Sequence, residues 1–286
     1  MKARLALLIT LLLPIAALSQ DFLDRSELTA SVGFMQYMGD LNNQSLFGRP
    51  NPAASLGLRV RLNNRMAAAL AVAAGHIEGG NPDAIELRNL NFRSPVGEAT
   101  LRLEFNFVPY GHGATEWHWT PFVFAGVGAF HFNPQTNYTD KHGHEQWVDL
   151  QPLGTEGQNL RAYPDRVRYS LNQVCIPFGV GVKFHVARWF SLSAEYGFRA
   201  TTTDYLDDVS TTYVGSSALS SGQPDGALAA RLADRSAEAF AGYVNAPGTK
   251  RGDDSLDDWY QLFTITASFN LDALFGWMRP KRCPVR

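Results

Sequence analysis

Over most of the chain, apolar residues alternate with small, hydroxylated or charged residues. Residues 101–107 are the clearest case and read Leu-Arg-Leu-Glu-Phe-Asn-Phe. Because side chains of a β-strand point alternately to the two faces of a sheet, Phe105 and Phe107 share one face. Arg102 and Glu104 lie on the other. A wall between lipid and a polar lumen has this division, so the pattern predicts a transmembrane β-barrel. The same alternation recurs in residues 190–199 and 263–270.

The first residues have the features of a secretory signal. Lys2 and Arg4 precede an apolar run over residues 5–17, and Ala-Leu-Ser at 17–19 is a small-x-small cleavage motif. The apolar run is shorter than the ~20 residues that cross a bilayer as a helix. We therefore expect a signal peptide at 1–19 rather than a membrane anchor. The residue directly after the cleavage motif is not a Cys, so a lipoprotein is not indicated. The mature chain is expected in the cell outer membrane.

Composition excludes other classes of protein. No later segment has the length and apolarity of a membrane-spanning helix, which excludes a helical membrane protein. With 25 basic and 27 acidic residues there is no electrostatic case for a nucleic-acid partner. Two cysteines are too few for a disulfide framework, and we expect Cys175 and Cys283, near opposite ends of the barrel, to be unpaired. The sequence predicts no cofactor, metal or catalytic site.

Eight segments carry the alternation and reach the ~9–11 residues that a tilted strand needs to cross the hydrocarbon. They are residues 28–38, 53–62, 66–77, 98–108, 119–132, 173–186, 190–203 and 259–271. The third is the weakest, because its Ala-rich start also favours a helix.

The lengths of the connections support the same interpretation. Three are short (63–65, 110–118 and 187–189), and the other four are mostly longer (39–52, 78–97, 133–172 and 204–258). Alternate connections of an up-and-down barrel lie on the same side. The parity therefore predicts an all-β, eight-stranded antiparallel barrel over residues 20–271, with short periplasmic turns, long exterior loops and a periplasmic tail over 272–286.

The lumen of such a barrel is narrow enough for side chains to fill. Both signs of charge fall at lumen positions, so we expect a paired, plugged interior with no open channel. Gly179 and Gly181 leave room beside Lys183, and Pro177 predicts a bulge or bend. The predicted lumen charges are Arg59, Arg61, Arg102, Glu104, Lys183, Glu195 and Arg199. Aromatic girdles are expected from Tyr110, Trp117, Trp119 and Trp189 on the periplasmic side and from Tyr37, Tyr205, Trp259 and Tyr260 on the outer side.

The loops carry weak signals for chemistry. Asp204, Asp207 and Asp208 form the densest carboxylate group, but their spacing matches no calcium loop, so we interpret them as a solvated loop. The acidic pairs just before the last strand receive the same interpretation. His142 and His144 alone do not make a metal site.

Two further segments have distinctive composition. Residues 227–243 have helical propensity and predict a short helix in the last exterior loop. The tail contains Trp277, Arg282 and other aromatic and basic residues. Two interpretations of the tail stay open: an anchor at the membrane surface, or a docking segment for a periplasmic partner.

Several blocks of the sequence are long enough to be specific. They are Tyr37-Met38-Gly39-Asp40-Leu41-Asn42, Asn89-Leu90-Asn91-Phe92-Arg93-Ser94-Pro95, the segments 103–110, 120–128 and 131–134, Leu150-Gln151-Pro152-Leu153-Gly154-Thr155-Glu156-Gly157-Gln158, Ile176-Pro177-Phe178-Gly179, the segment Thr203 to Tyr213, Arg251-Gly252 and Asp258-Trp259-Tyr260. These blocks resemble the PorG family, outer-membrane barrels of the type IX secretion system of Bacteroidota. One departure is Asp253-Asp254 after Gly252, where Asn-Pro or Asn-Ser is expected. The resemblance implies a non-enzymatic component that contacts a periplasmic ring of the lipoprotein PorK and its partner PorN.

Three hypotheses follow. The first is a type IX secretion component, the second a small structural or ligand-binding barrel with functional exterior loops, and the third a hydrolase at the barrel rim that uses loop His and Asp residues. We favour the first and expect no enzymatic activity. The candidate loop and partner contacts are Asp204, Tyr205, Asp207, Asp208, Arg251, Trp277 and Arg282.

Overall fold

The computed structural model describes residues 20–42, 48–80, 82–83, 88–110, 118–140, 142–158 and 160–275. The predicted signal peptide and the tail residues Trp277, Arg282 and Cys283 lie outside these ranges, as does Trp117. Within the described chain, no helix combines the length and apolarity needed to cross a membrane.

Eight long antiparallel strands form a closed barrel. They are β1 (Ser26–Met38), β2 (Asn51–Arg61), β3 (Met66–Gly79), β6 (Phe92–Asn106), β7 (Trp119–Phe132), β10 (Asn172–Ala187), β11 (Phe190–Thr201) and β12 (Trp259–Asn270). The hydrogen-bonded order is β3-β2-β1-β12-β11-β10-β7-β6, and pairing of β3 with β6 closes the ring. The predicted fold class is confirmed, and the Ala-rich third segment is a strand.

The two faces of the wall separate as the alternation predicts. On β6, Leu101 and Leu103 are more than half exposed, whereas Glu98 and Glu104 are at most 5 % exposed. The chain therefore presents its large apolar side chains outward and buries its charges inside. Because exposed apolar side chains encircle a closed sheet, the surface they meet is lipid rather than water.

The connections divide the barrel into two ends. At one, which we name the turn end, residues 62–65, 107–118 and 188–189 join the strands, and the first and last barrel residues lie there too. At the other, the loop end, the connections are 39–50, 80–91, 133–171 and 202–258. The loop end carries two small hairpins, β4 (Pro82–Asp83) with β5 (Arg88–Asn89) and β8 (Gln135–Thr139) with β9 (Glu145–Asp149).

Short helices accompany the strands. They are α1 (Gln20–Arg25), α2 (Ser216–Gly222), α3 (Gly226–Ala233), α4 (Ser236–Ala239) and α5 (Leu271–Phe275), with a 3₁₀ turn at Gln151–Leu153. The helix predicted over 227–243 is thus broken at Asp234, which is extended and accepts backbone N–H bonds from Ser236 and Asn245 at 3.0 and 2.7 Å. A side chain that satisfies backbone donors in this way competes with continuation of the helix.

Two strand details differ from the prediction. Strand β6 begins at Phe92, six residues before the predicted start at 98, because it stays paired with β3 beyond Pro95, which lies opposite His76. Pro177 interrupts the pairing of β10 with β7 but produces no bulge, since the register is the same on both sides of it. The register shift of β10 lies instead between His185 and Ala187, next to the turn.

The predicted aromatic girdles are only partly correct. Trp119, Trp189 and Trp259 are 36–52 % exposed and lie on the outer wall. The predicted girdle residues Tyr37, Tyr110 and Tyr260 are instead buried, and Tyr205 is half-buried. The strand parity that faces Leu28 and Val32 outward turns Tyr37 inward, so depth along the barrel alone does not identify an interface residue.

Candidate functional site

A network of buried ion pairs fills the lumen near the turn end. Arg59, projecting inward from β2, lies 3.2 Å from Glu27, 2.9 Å from Glu104 and 3.4 Å from Glu195. All four side chains are less than 5 % exposed. Buried charges persist only when opposite charges or hydrogen bonds surround them, so this network joins four strands through one guanidinium.

Two more cations complete the network. The Lys183 ammonium donates to Glu104 at 2.6 Å and to the side-chain oxygen of Asn106 at 3.0 Å. Arg102 lies 2.7 Å from Glu195 and 3.2 Å from Glu104. The network therefore pairs the cations Arg59, Arg102 and Lys183 with the carboxylates Glu27, Glu104 and Glu195.

A second pair lies closer to the loop end. Arg199 donates twice to Glu98, at 2.9 and 3.2 Å, and the Tyr260 hydroxyl donates to the same carboxylate at 2.7 Å. Cys175 is a free, buried thiol beside Tyr260. The prediction that Cys175 is unpaired is confirmed.

Aromatic rings occupy the rest of the lumen. The rings of Phe122 and Phe124 lie so close to Gly181 and Gly179 that a Cβ at either glycine would fall within 2.8 Å of a ring carbon. The small lumen cavity bounded by Glu98, Arg102 and Arg199 measures about 30 Å³, room for no more than a few water molecules. The described side chains therefore plug the barrel, as predicted.

The predicted network residues converge, but the prediction missed two acidic members. Glu27 precedes the predicted start of the first strand, and Glu98 stood at the predicted start of the fourth, where its facing was undefined. The alternation along the strands could have identified both residues. Glu27 lies two residues before lumen-facing Thr29, and Glu98 lies an even number of residues before lumen-facing Glu104, so each shares the face of its neighbour.

A folded cap covers the loop end of the barrel. We define the cap as the loops 133–171 and 202–258. Its turn at residues 205–208 buries the side chain of Leu206, 0 % exposed, in the same apolar cluster as the barrel residues Met35 and Ile77. Asp208 adopts a positive φ of 67° to make this turn, and the rings of Tyr205 and Tyr169 stack at 4.7 Å.

Buried carboxyl groups join the cap to the barrel. The Tyr37 hydroxyl, at the end of β1, lies 2.6 Å from Asp207 Oδ2 and 2.8 Å from Asp258 Oδ1. The other oxygen of Asp207 accepts the Val209 N–H, and that of Asp258 accepts the Leu206 N–H, both at 2.9 Å. We name Tyr37, Asp207 and Asp258 the latch.

Glu156 organises the inside of the cap. Its carboxylate accepts the backbone N–H groups of Ser210 and Thr211 at 3.0 Å each, and the Arg251 guanidinium at 2.8 Å. Arg251, one of the largest fully buried side chains, also donates to the carbonyl oxygen of Asp208 at 2.5 Å. These bonds hold three separated parts of the cap together.

Asp208 is held by three side chains. It accepts the hydroxyl groups of Thr155 at 2.5 Å and Tyr169 at 2.7 Å, and lies 3.8 Å from Arg251. Burial raises the pKa of Asp208 to about 6, against the opposing effect of Arg251.

The remaining carboxyls of the cap have larger shifts. Burial is the main cause that raises the pKa of Asp207 to about 8 and places the pKa of Asp258 well above its usual range. Burial likewise raises the pKa of Asp204 to about 8, the neighbouring charges of Asp207 and Asp40 adding to it and the nearby Ser210 hydroxyl opposing it. In the described part of the chain, neither oxygen of Asp204 has a hydrogen-bond partner of normal geometry.

The prediction of a solvated loop at Asp204, Asp207 and Asp208 is therefore wrong. The three side chains are at most 9 % exposed, and Asp258 is 0 % exposed. The turn-forming residue types were identified correctly, but only the fold brings them against Tyr37. Since these groups and Arg251 lie inside the cap, a partner of the folded chain would meet the loop surface above them.

Other candidate residues remain apart. His142 and His144 are exposed on the β8–β9 hairpin, away from the latch. Among the described residues, no group of three or more His, Cys, Asp or Glu side chains has the arrangement of a metal site.

The closed, plugged barrel with an apolar exterior defines the class of this protein as an eight-stranded transmembrane β-barrel of the outer-membrane type. Within that class, the chain belongs to the family described as a domain of unknown function, DUF6089, whose sequence model matches residues 3–151. No curated protein matches the chain.

Several solved outer-membrane barrels are similar to the chain. They include Ail, the attachment invasion locus protein of Yersinia pestis, in complex with the heparin analogue sucrose octasulfate (9 % identity, 86 % of this chain and 98 % of that chain, TM-score 0.38), Neisserial surface protein A (9 %, 86 % and 96 %, 0.39) and OprG from Pseudomonas aeruginosa (11 %, 88 % and 100 %, 0.37).

Proposed function

We propose that the chain is a non-enzymatic outer-membrane component of the type IX secretion system, which contacts the periplasmic ring of PorK and PorN. The observation that carries the proposal is that several of the PorG-like blocks contact one another in the folded chain. Tyr37, Glu156, Asp207, Arg251 and Asp258 come from five different blocks and meet where the cap joins the barrel: Tyr37 bonds to Asp207 and Asp258, and Glu156 bonds to Arg251 and to the Ser210 N–H of the same loop segment. A resemblance spread over separated loops thus corresponds to one structural unit.

The lumen supports a structural role rather than transport. Paired charges and the Phe122 and Phe124 rings fill it, so the barrel offers no route for a folded cargo. In this proposal the loop end faces outward and the turn end faces the periplasm, as short turns do in outer-membrane barrels. The ring would then be contacted through the turn end, together with the tail residues Trp277 and Arg282.

Copurification from membranes tests the proposal. A tagged chain, solubilised in detergent, should retain PorK and PorN, and replacing Trp277 and Arg282 together by Ala should reduce the amount retained. Trp147→Ala, on the β8–β9 hairpin at the opposite end, is the matched control and should leave retention unchanged. Deletion of the gene should block export of cargo that carries the system's C-terminal signal. Normal export in the deletion strain would remove the assignment.

One observation favours a second candidate, a barrel that binds a surface ligand. A polar cavity of about 230 Å³ at the loop end is lined by Asn89, Asn91, Asn137 and Trp147, with Arg93 stacked 3.6 Å over the Trp147 ring. Amide groups beside an aromatic ring suit a small polar ligand such as a sugar. If this function holds, Trp147→Ala should abolish retention of the surface ligand, and the ring proteins should be absent from the copurified material.

A further inference from the structure

The hydrogen atoms of the latch can be counted. Tyr37 Oη lies within hydrogen-bond distance of Asp207 Oδ2 and Asp258 Oδ1, but a tyrosine hydroxyl carries one hydrogen. It donates to one carboxylate and can only accept from the other group. A contact of 2.6–2.8 Å with an ionised carboxylate on each side would therefore leave one oxygen–oxygen pair with no hydrogen between them.

The second oxygen of each carboxyl is already occupied. Asp207 Oδ1 accepts from the Val209 N–H and Asp258 Oδ2 from the Leu206 N–H. Backbone N–H groups do not change their role, so these two oxygens must be acceptors. The missing hydrogen can only lie on the oxygen of Asp207 or Asp258 that faces Tyr37.

We propose that Asp207 and Asp258 share one proton across the Tyr37 hydroxyl, and that loss of this proton as the pH rises releases the cap from the mouth of the barrel. The latch fastens the turn that buries Leu206 in the same apolar cluster as barrel residues. Release would therefore free the segment that closes the lumen at the loop end.

The carboxylates around the latch favour retention of the proton, and Arg251 opposes it. Coulombic repulsion from Asp40 and Asp204 falls on Asp207 and Asp258, respectively, while Arg251 opposes it at Asp207. The titratable and charged groups that face the latch and the cluster above it are Asp40 at the end of β1, Arg88 on β5, Glu156 and Tyr169 in the loop before β10, Asp204, Tyr205 and Asp208 in the loop after β11, and Arg251 and Asp253 before β12.

The sign of the effect follows from the raised pKa values. In the released state each carboxyl returns towards its ordinary pKa near ~4, whereas in the closed state burial raises the pKa of Asp207 to about 8. The closed state then binds the proton more tightly, so closure is strongest at low pH. It weakens progressively as the pH rises towards the raised pKa.

Hydrogen exchange of the full chain in lipid nanodiscs, followed by mass spectrometry, measures closure. After correction for the intrinsic effect of pH, protection of the peptide 203–211 should fall at least about tenfold between pH 6 and pH 9, tenfold being one pKa unit. The barrel itself should stay protected. Constant protection of 203–211 over this range would overturn the proposal.

Single asparagine variants test the shared proton. In Asp258→Asn, the amide oxygen can accept from the Leu206 N–H while the NH₂ group donates to Tyr37, which reproduces the protonated carboxyl. Asp207→Asn does the same on the other side. Each variant should keep its protection at pH 9, whereas the control Asp254→Asn, at an exposed carboxylate in the same loop, should lose protection like the parent chain. A loss equal to that of the parent chain in both single variants contradicts the proposal.

The double variant, with both Asp207→Asn and Asp258→Asn, tests whether the latch holds one proton rather than two. With both carboxyls replaced, two NH₂ groups face Tyr37 and its own hydrogen has no acceptor. The double variant should therefore be less protected than either single variant at every pH. Protection equal to that of the single variants would show that the latch does not hold one proton.

Discussion

At the scale of single residues, the molecule is defined by the charges it buries. Glu104 contacts Arg59, Lys183 and Arg102, and its side chain is 0 % exposed. The three cations stabilise the buried negative charge of Glu104, and Glu104 in turn stabilises their buried positive charges. Replacing it leaves cations in a site closed to water, which is the costly way to break a buried pair.

We predict that Glu104→Ala lowers the free energy of unfolding by about 3–5 kcal/mol. Glu238→Ala, which removes a 37 % exposed carboxylate paired with Arg235, should cost no more than about 1 kcal/mol. Urea titration of the refolded barrel in detergent micelles, followed by tryptophan fluorescence, compares the two variants. Equal losses would mean that the lumen charges are not the desolvated pairs described above.

Sequence reasoning placed the lumen charges well because parity is a local property. Arg102, Glu104, Lys183, Glu195 and Arg199 all face the interior as predicted. The latch was not found, because Tyr37, Asp207 and Asp258 are separated by up to 221 residues. Each of them alone is an unremarkable turn or rim residue.

At the scale of elements, each strand has one face for lipid and one for the lumen. Val127 on β7 pairs with Leu101 on β6, and both are more than half exposed on the outer wall. Val167 in the cap is exposed to a similar degree, 75 % against 64 %. The same exposure thus has different meanings, since one valine meets lipid and the other meets water.

Arginine substitution should separate these two valines. Val127→Arg places a charge against the hydrocarbon and should cost about 2–4 kcal/mol if it lies near the bilayer midplane. Val167→Arg should be nearly neutral, because its position is in a loop beyond the strands. Unfolding in lipid vesicles measures both. A neutral Val127→Arg variant would contradict the assignment of the outer wall to lipid.

The ends of the strands and helices show where the local sequence pattern is insufficient to predict secondary structure. Strand β6 runs through Pro95 because β3 continues to pair with it, and the predicted helix over 227–243 ends early because Asp234 binds neighbouring backbone groups. In the first case, pairing with another strand overrides the local preference. In the second, a side chain that binds backbone groups two and eleven residues further on ends the helix. Strand cores were predictable, and strand ends were not.

At the scale of the whole molecule, the closed ring of eight strands controls stability. Every barrel strand is hydrogen-bonded on both sides, so no edge remains from which the sheet can unravel. Such a barrel should resist detergent until it is heated.

We therefore expect the protein to require detergent for solubilisation and to migrate differently on gels before and after boiling. The unboiled form should run as the compact species. A chain that dissolves without detergent and migrates identically in both states would contradict a membrane-embedded barrel.

The sequence by itself determined the barrel, because alternation and loop parity are read along the chain and depend on near neighbours only. It also determined which charges face inward. Only the tertiary structure decided that the loop aspartates are buried, that hydrogen bonds of Glu156 and Arg251 stabilise the cap, and that the Tyr37 hydroxyl contacts two carboxyl groups. The physical reason is that burial and shared protons depend on which distant segments come together, and no periodicity records that.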